Sequence, residues 1–159
     1  LLIEQFIDRA GASKFLEVTG GLLTSYDKDG QLLYEIFEPS ESLAESEILS
    51  LEEKFLAGQG QNITPSRFSN NPKEQSRISN EVRNTLKKVA IALNVTGYCR
   101  IDAFVRIFET GKVETLIIEV NSLPGMTPAT CIYHQAAIKG YKPFEFIREI
   151  LKFGENRMS

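Results

Sequence analysis

Cysteine and histidine are scarce in this chain of 159 residues, which has two of the first and one of the second. Cys99 and Cys131 cannot build a disulfide framework or a structural zinc set, and reduced thiols in a cytoplasm are the simpler reading. A dominant charge is also lacking. Lys and Arg number 18 against 21 Asp and Glu, for a net charge of −3, and with no strong basic patch nothing recommends nucleic acid as a partner. No apolar run is long enough to span a bilayer and no signal-like segment opens the chain, so no membrane partner is expected, although a start at Leu1 says nothing of targeting. Neither G-x-G-x-x-G nor G-x-x-x-x-G-K-[ST] occurs, which excludes both common phosphate loops within these residues. No internal repeat or low-complexity tract stands out. What is present is a globular composition, 42% hydrophobic and 25% charged, on a chain long enough to bury a substantial core as one domain.

The periodicities read as α+β. Strands are expected near Leu2 to Ile7, Phe15 to Tyr26 and Gln31 to Phe37, the last two joined by the turn Asp27-Lys28-Asp29-Gly30. Gly20-Gly21 inside the second strand suggests a bulge or a close backbone approach. Long polar connections follow at Pro39 to Glu47 and Ala57 to Pro72. A helix then begins with Asn71 as N-cap, Pro72 at the first helical position and Glu74 at the third, with Ile78, Val82, Leu86, Val89, Ala90 and Leu93 as its apolar stripe. Toward the C-terminus, Ala129 to Lys139 is expected to be helical and ended by Gly140. Pro143 to Phe153 is expected to form a second helix ended by Gly154.

Tyr98 to Thr127 is the chemically informative stretch. Cys99 to Phe108 alternates, so Arg100, Asp102, Phe104 and Arg106 share a face, and Val113 to Asn121 alternates so that Ile117, Glu119 and Asn121 do. Glu109-Thr110-Gly111-Lys112 lies between them and reads as a hairpin turn with Thr110 and Gly111 central. That register sets Asp102 opposite Glu119 and Arg100 opposite Asn121. Directly opposed residues hold their Cβ atoms about 4.5–5.5 Å apart, where two like charges repel. A hard divalent cation offsets that repulsion through carboxylate and amide oxygens, and Arg100 adds a fork of donors suited to phosphoryl oxygens. A solvated face whose acids simply point into water is the alternative, and an odd-length loop or a bulge would break the parity.

The run Glu119-Val120-Asn121-Ser122-Leu123-Pro124-Gly125-Met126-Thr127, with Arg100-Ile101-Asp102 before it, closely resembles the C-terminal motif of D-alanine:D-alanine ligases of the ATP-grasp superfamily. The fold implied is the C-terminal ATP-grasp subdomain, an antiparallel sheet with flanking helices. Residues 1–159 would then be the C-terminal half of an ATP-grasp domain whose N-terminal and central domains lie outside this chain. The fragment alone is expected to be inactive.

The resemblance also assigns roles. Asp102, Glu119 and Asn121 would hold two Mg²⁺ or Mn²⁺ ions against the phosphates of ATP. Arg100 would stabilise the transferring phosphoryl group, and the backbone N–H of Gly125 would act as oxyanion donor. Thr130, with the backbone N–H of Cys131, would hold the carboxylate of the second substrate. Glu53 to Pro65 is similar to the family's loop over the active site, with Lys54 on ATP phosphate. Phe55 stands there where many members have Tyr, so a hydroxy acid such as D-lactate stays open as acceptor beside D-alanine. Leu1 to Ile7 is similar to the strand that carries adenine, through Glu4 and the backbone at Gln5 and Ile7. An ordinary amphipathic strand is the alternative there. At the ribose position, the nearest equivalent of the family's Glu is Lys14 or Glu17. The activity implied is ATP-dependent ligation of a carboxylate to an amine through an acyl phosphate, in peptidoglycan precursor synthesis in the cytoplasm. Another ATP-grasp ligase, or a non-catalytic ATP-grasp homologue, remains open, as does a homodimer.

His134 lies three residues after Cys131. On a helix that spacing allows a thiol–imidazole pair, but with no orienting acid evident, incidental placement is the preferred reading.

Overall fold

The computed structural model describes residues 1, 3–43, 62–127 and 130–158, with side chains through residue 155. Lys54 and Phe55 therefore lie outside the described residues. Among those described, the architecture is an antiparallel sheet with helices on both faces. In chain order the elements are β1 (Lys14–Tyr26), β2 (Leu32–Ile36), β3 (Ser40–Ser42), β4 (Asn62–Ile63), α1 (Pro72–Ala92), β5 (Tyr98–Ile107), β6 (Val113–Asn121), α2 (Cys131–Ile138) and α3 (Pro143–Met158). The strands run β4-β3-β1-β5-β6, and β2 pairs with the far half of β1. No helix among the described residues is long and apolar enough to cross a membrane.

Alternation in β1 and β5 divides the core in two. Val18, Leu22, Ile101, Ala103 and Val105 point to one face, where Ile78, Val82, Leu86 and Ala90 of α1 cover them. That helix starts as its sequence implies, because the Asn71 side chain accepts from the backbone N–H of Lys73 at 2.9 Å. Leu93, counted into the stripe, is exposed just past its end. On the other face Leu23 and Phe37 pack under Ile132 and Ala136 of α2 and Phe146 of α3. Those helices cover only part of this face, and Thr19, Arg100 and Asp102 lie at the edge of the cover.

Gly20 and Gly21 permit both packings. A Cβ on Gly20 would sit 2.3 Å from Cδ1 of Leu86, and one on Gly21 would sit 2.5 Å from Oε1 of Gln135 and 2.9 Å from Cγ1 of Ile132. Close approach, rather than a bulge, is the reason for the pair. Gln135 is fully buried and serves as the bolt between α2 and the sheet. Its Oε1 accepts from the Gly21 N–H at 2.7 Å, and its Nε2 donates to the Thr19 carbonyl and the Ser40 hydroxyl, both at 2.8 Å.

Three expectations need correction. Residues 1 and 3–7 form no strand. They pair with no strand among the described residues, and Ile3 and Phe6 are exposed; an apolar run becomes a strand only when a neighbour takes its backbone hydrogen bonds. The last helix continues through Gly154 to Met158. Glycine costs about 1 kcal/mol inside a helix relative to Ala, and the burial of Phe153, stacked on Tyr26 at 5.1 Å between ring centroids, holds that turn in place.

The third correction concerns the hairpin. Its loop has three residues, Glu109, Thr110 and Gly111, closed by Phe108 N–H to the Lys112 carbonyl and Gly111 N–H to the Phe108 carbonyl, each 2.9 Å. Gly111 takes φ +83° as the left-handed third loop residue. This shifts the register by one, so that Ile107 faces Val113 and Ala103 faces Ile117. A bulge between Ala103 and Asp102, with Ile118 as the extra residue of β6, shifts it back. The two departures cancel.

Candidate functional site

The bulge delivers the expected register where it matters. Asp102 pairs with Glu119 and Arg100 with Asn121. Asn121 Nδ2 lies 3.2 Å from Asp102 Oδ2 and 3.1 Å from Glu119 Oε1, so the amide bridges both carboxylates. Arg100 grips Asp102 bidentately, Nε to Oδ1 at 3.1 Å and Nη2 to Oδ2 at 3.0 Å. Burial works against the Arg100 charge, yet Asp102 and, farther off, Glu119 outweigh it and hold the guanidinium pKa above its ordinary value.

One member of the site escaped the sequence. Thr19 of β1 stands opposite Asp102 on the side away from Glu119, and its hydroxyl donates to Asp102 Oδ1. Nothing local to β1 marks this threonine, because its partner becomes known only when β1 is known to pair with β5. Asp102 is thus held from three sides, by its neighbour on β5, by β1 and by β6.

Carboxylate, carboxylate and amide are the oxygen donor set that suits Mg²⁺ or Mn²⁺. Both carboxylates lie within hydrogen-bond distance of the Asn121 amide, and turning that amide over about its χ2 axis would present its oxygen instead of its nitrogen. The residues therefore fit a divalent cation. With only two carboxylates the set depends on the Asn121 amide, and no group of three or more His, Cys, Asp and Glu side chains placed to hold a metal ion occurs among the described residues.

The α2 N-terminus comes beside this hairpin. The Cys131 thiol is buried, which pushes its pKa up, and it feels the opposing charge of Arg100 and the like charge of Asp102. Thr130 is the residue before the first turn, with its hydroxyl donating to the Thr127 carbonyl at 2.8 Å. Gly125 lies near it. A Cβ there would meet only Thr130 Cγ2, at 3.7 Å, so no described protein atom crowds that backbone. His134 is exposed while Cys131 is buried, and no thiol–imidazole bond joins them. The second cysteine, Cys99, lies in the other core, where burial pushes its thiol up to about 12.

The remaining candidates are more scattered. Glu4 and Gln5 are exposed and Ile7 is half-buried. Lys14 donates from Nζ to the Arg67 carbonyl and so helps hold the stretch after β4.

A family profile described as D-ala D-ala ligase C-terminus matches residues 2–152. The chain is similar to a D-alanine--D-alanine ligase of Leptospira interrogans, 30% identical over 146 residues that cover 89% of this chain and 37% of that protein. Its fold is similar to that of D-alanyl-alanine synthetase A from Vibrio cholerae, with a TM-score of 0.58 and 24% identity over 89% of this chain and 39% of the other. It is also similar to that of the Bacillus anthracis D-alanine--D-alanine ligase complexed with ATP, with a TM-score of 0.51 and 17% identity over 90% and 39%. These likenesses show the fold, the α+β C-terminal subdomain of ATP-grasp enzymes. The chain spans 37% and 43% of the length of two curated relatives it matches.

Proposed function

Because the chain belongs to the D-ala D-ala ligase C-terminus family, we propose that it forms the C-terminal ATP- and magnesium-binding part of a D-alanine:D-alanine ligase-like enzyme. One observation carries the reading: Asp102, Glu119 and Asn121 meet on one hairpin with Arg100 beside them. In the proposed reaction a carboxylate oxygen of one D-alanine attacks the γ-phosphorus of ATP and ADP leaves. The amine of a second D-alanine then attacks the acyl carbon, phosphate leaves, and the amine loses a proton.

Asp102, Glu119 and Asn121 would hold two Mg²⁺ or Mn²⁺ ions, which when bound supply charge neutralisation at the phosphates. Arg100 places its charge where phosphoryl negative charge develops. Gly125 would offer its backbone N–H to the oxyanion, and Thr130 with the Cys131 N–H would orient the acceptor's carboxylate. Lys54 would touch ATP phosphate, and Glu4, Gln5 and Ile7 the adenine. Phe55 would border the acceptor. The proposed partners are small substrates and the remaining domains of the same enzyme, acting in peptidoglycan precursor synthesis in the cytoplasm.

The test is ADP release by the full-length protein with D-alanine, D-lactate and other amino acids as acceptors. Turnover stimulated by D-alanine and lowered by about a hundredfold in Asp102→Asn supports the reading. Stimulation by D-lactate alone would redirect it to a depsipeptide ligase. The ribose position, where Lys14 or Glu17 is the nearest equivalent of the family's Glu, motivates a second reading, a nucleotide-binding homologue without turnover; ATP binding with no acceptor-stimulated ADP release would favour it.

A further inference from the structure

The segment before β1 has few ties to the rest of the fold. Among the described residues, residues 3–12 pair with no strand, and their own bonds are a local turn, Ala10 N–H to Asp8 Oδ1 at 3.0 Å and Ala12 N–H to the Arg9 carbonyl at 2.9 Å. Ala12 is buried at the end of the segment, and among the described residues the hydrogen bonds that join residues 3–12 to the sheet come from Arg106. Its Nε donates to the Asp8 carbonyl at 2.8 Å and its Nη2 reaches Asp8 Oδ1 at 3.4 Å. Its Nη1 meets Glu114 Oε2 on β6 at 3.3 Å, and Glu114 is in turn bound by Lys112 at 2.7 Å. The Arg106 side chain is only 14% exposed, so its stem is packed and its fork pre-aimed.

Arg106 also lies on the same strand and face as Asp102, four residues on. A single rigid strand therefore carries both the carboxylate of the proposed metal site and the guanidinium that pins Asp8. We propose that Arg106 is a positioning residue that fixes residues 3–12 against the β5–β6 hairpin and so sets the distance between the adenine contacts and the metal carboxylates. The inference rests on the assignment of Glu4, Gln5 and Ile7 to adenine. Glu114 acts differently, as a counter-charge within the hairpin, and does not touch the segment.

Three variants of the full-length protein separate these roles, read by hydrogen exchange without nucleotide and by calorimetric titration with a non-hydrolysable ATP analogue plus Mg²⁺. Arg106→Gln is expected to raise exchange of residues 3–12 by about tenfold, leave β5 and β6 protected, and weaken analogue binding by about tenfold. Arg106→Lys keeps a donor for the Asp8 carbonyl and should recover part of both. Glu114→Gln should leave both near wild type. Unchanged exchange in Arg106→Gln, unchanged analogue affinity despite a loosened segment, or an equal loss in Glu114→Gln would each overturn the proposal. Because neither readout needs D-alanine, a failure here is distinct from an absence of ligase turnover.

Discussion

The hydroxyl of Thr19 on β1 is hydrogen-bonded to the carboxylate of Asp102 on β5, joining two strands at the one acid that Arg100 and Asn121 also contact. Thr19 is nearly buried. Replacing it with Val keeps the shape and removes the donor, so Thr19→Val should cost about 1–3 kcal/mol in urea unfolding. Thr19→Ser should cost less. If the ligase reading holds, Thr19→Val also needs more Mg²⁺ for half-maximal ADP release, because Asp102 then loses one of the three contacts that set its orientation.

Gln135 is the next test of the same framework. All three of its polar bonds go to groups of the sheet: the Gly21 N–H, the Thr19 carbonyl and the Ser40 hydroxyl. Gln135→Leu keeps the volume and takes that partner from the buried Gly21 N–H and Thr19 carbonyl, each at roughly 1–3 kcal/mol, while the Ser40 hydroxyl keeps its bond to the Thr64 hydroxyl. Its unfolding midpoint should therefore fall further than that of Thr19→Val, and α2 should exchange its amides faster than α1.

The two adjacent glycines of β1 should differ. An added methyl at Gly20 meets the end of the Leu86 side chain, which can change rotamer, whereas one at Gly21 meets Gln135 Oε1 and Ile132 together, with Phe37 Cδ2 at 3.3 Å. Overpacking costs typically about 1–3 kcal/mol. Gly21→Ala should lie at or above the top of that range and Gly20→Ala near the bottom, read as thermal midpoints. An equal cost at both sites would mean that α2 yields as easily as a leucine.

These contrasts show what the sequence could and could not disclose. The apolar alternation of Cys99 to Phe108 and the Asn71-Pro72 cap are local rules, and β5 and α1 follow them. The facing of Asp102 and Glu119 was also legible, but for an incomplete reason. Parity with a two-residue turn predicts it, while the chain reaches it with a three-residue loop and a compensating bulge at Ile118. Thr19 and Arg106 were not legible as partners, because each acts on a residue far away in sequence: Thr19 meets Asp102 through the order of the strands, and Arg106 meets Asp8 through the path of a segment outside the sheet. The expected strand over Leu2 to Ile7 failed for the same reason, since apolar residues announce burial but not the neighbour that would supply it.

Glu41 makes stability depend on acid. It is nearly buried on β3, and burial alone would raise its pKa, but the Arg67 guanidinium and backbone N–H, each bonded at 3.0 Å, outweigh that and hold it below the ordinary carboxylate value of 4.5. A depressed folded-state pKa means that the unfolded chain takes up its proton first as pH falls. The stabilisation from Glu41 is therefore fully present above about pH 5 and is lost as pH drops through 4.5 toward the lower folded value. Glu41→Gln carries no such proton. Thermal midpoints between pH 3 and 7 should show the variant less stable than wild type at neutral pH, with the gap closing as pH falls below 4.5. A gap that stays constant across that range would mean that Arg67 holds Glu41 by shape rather than by charge.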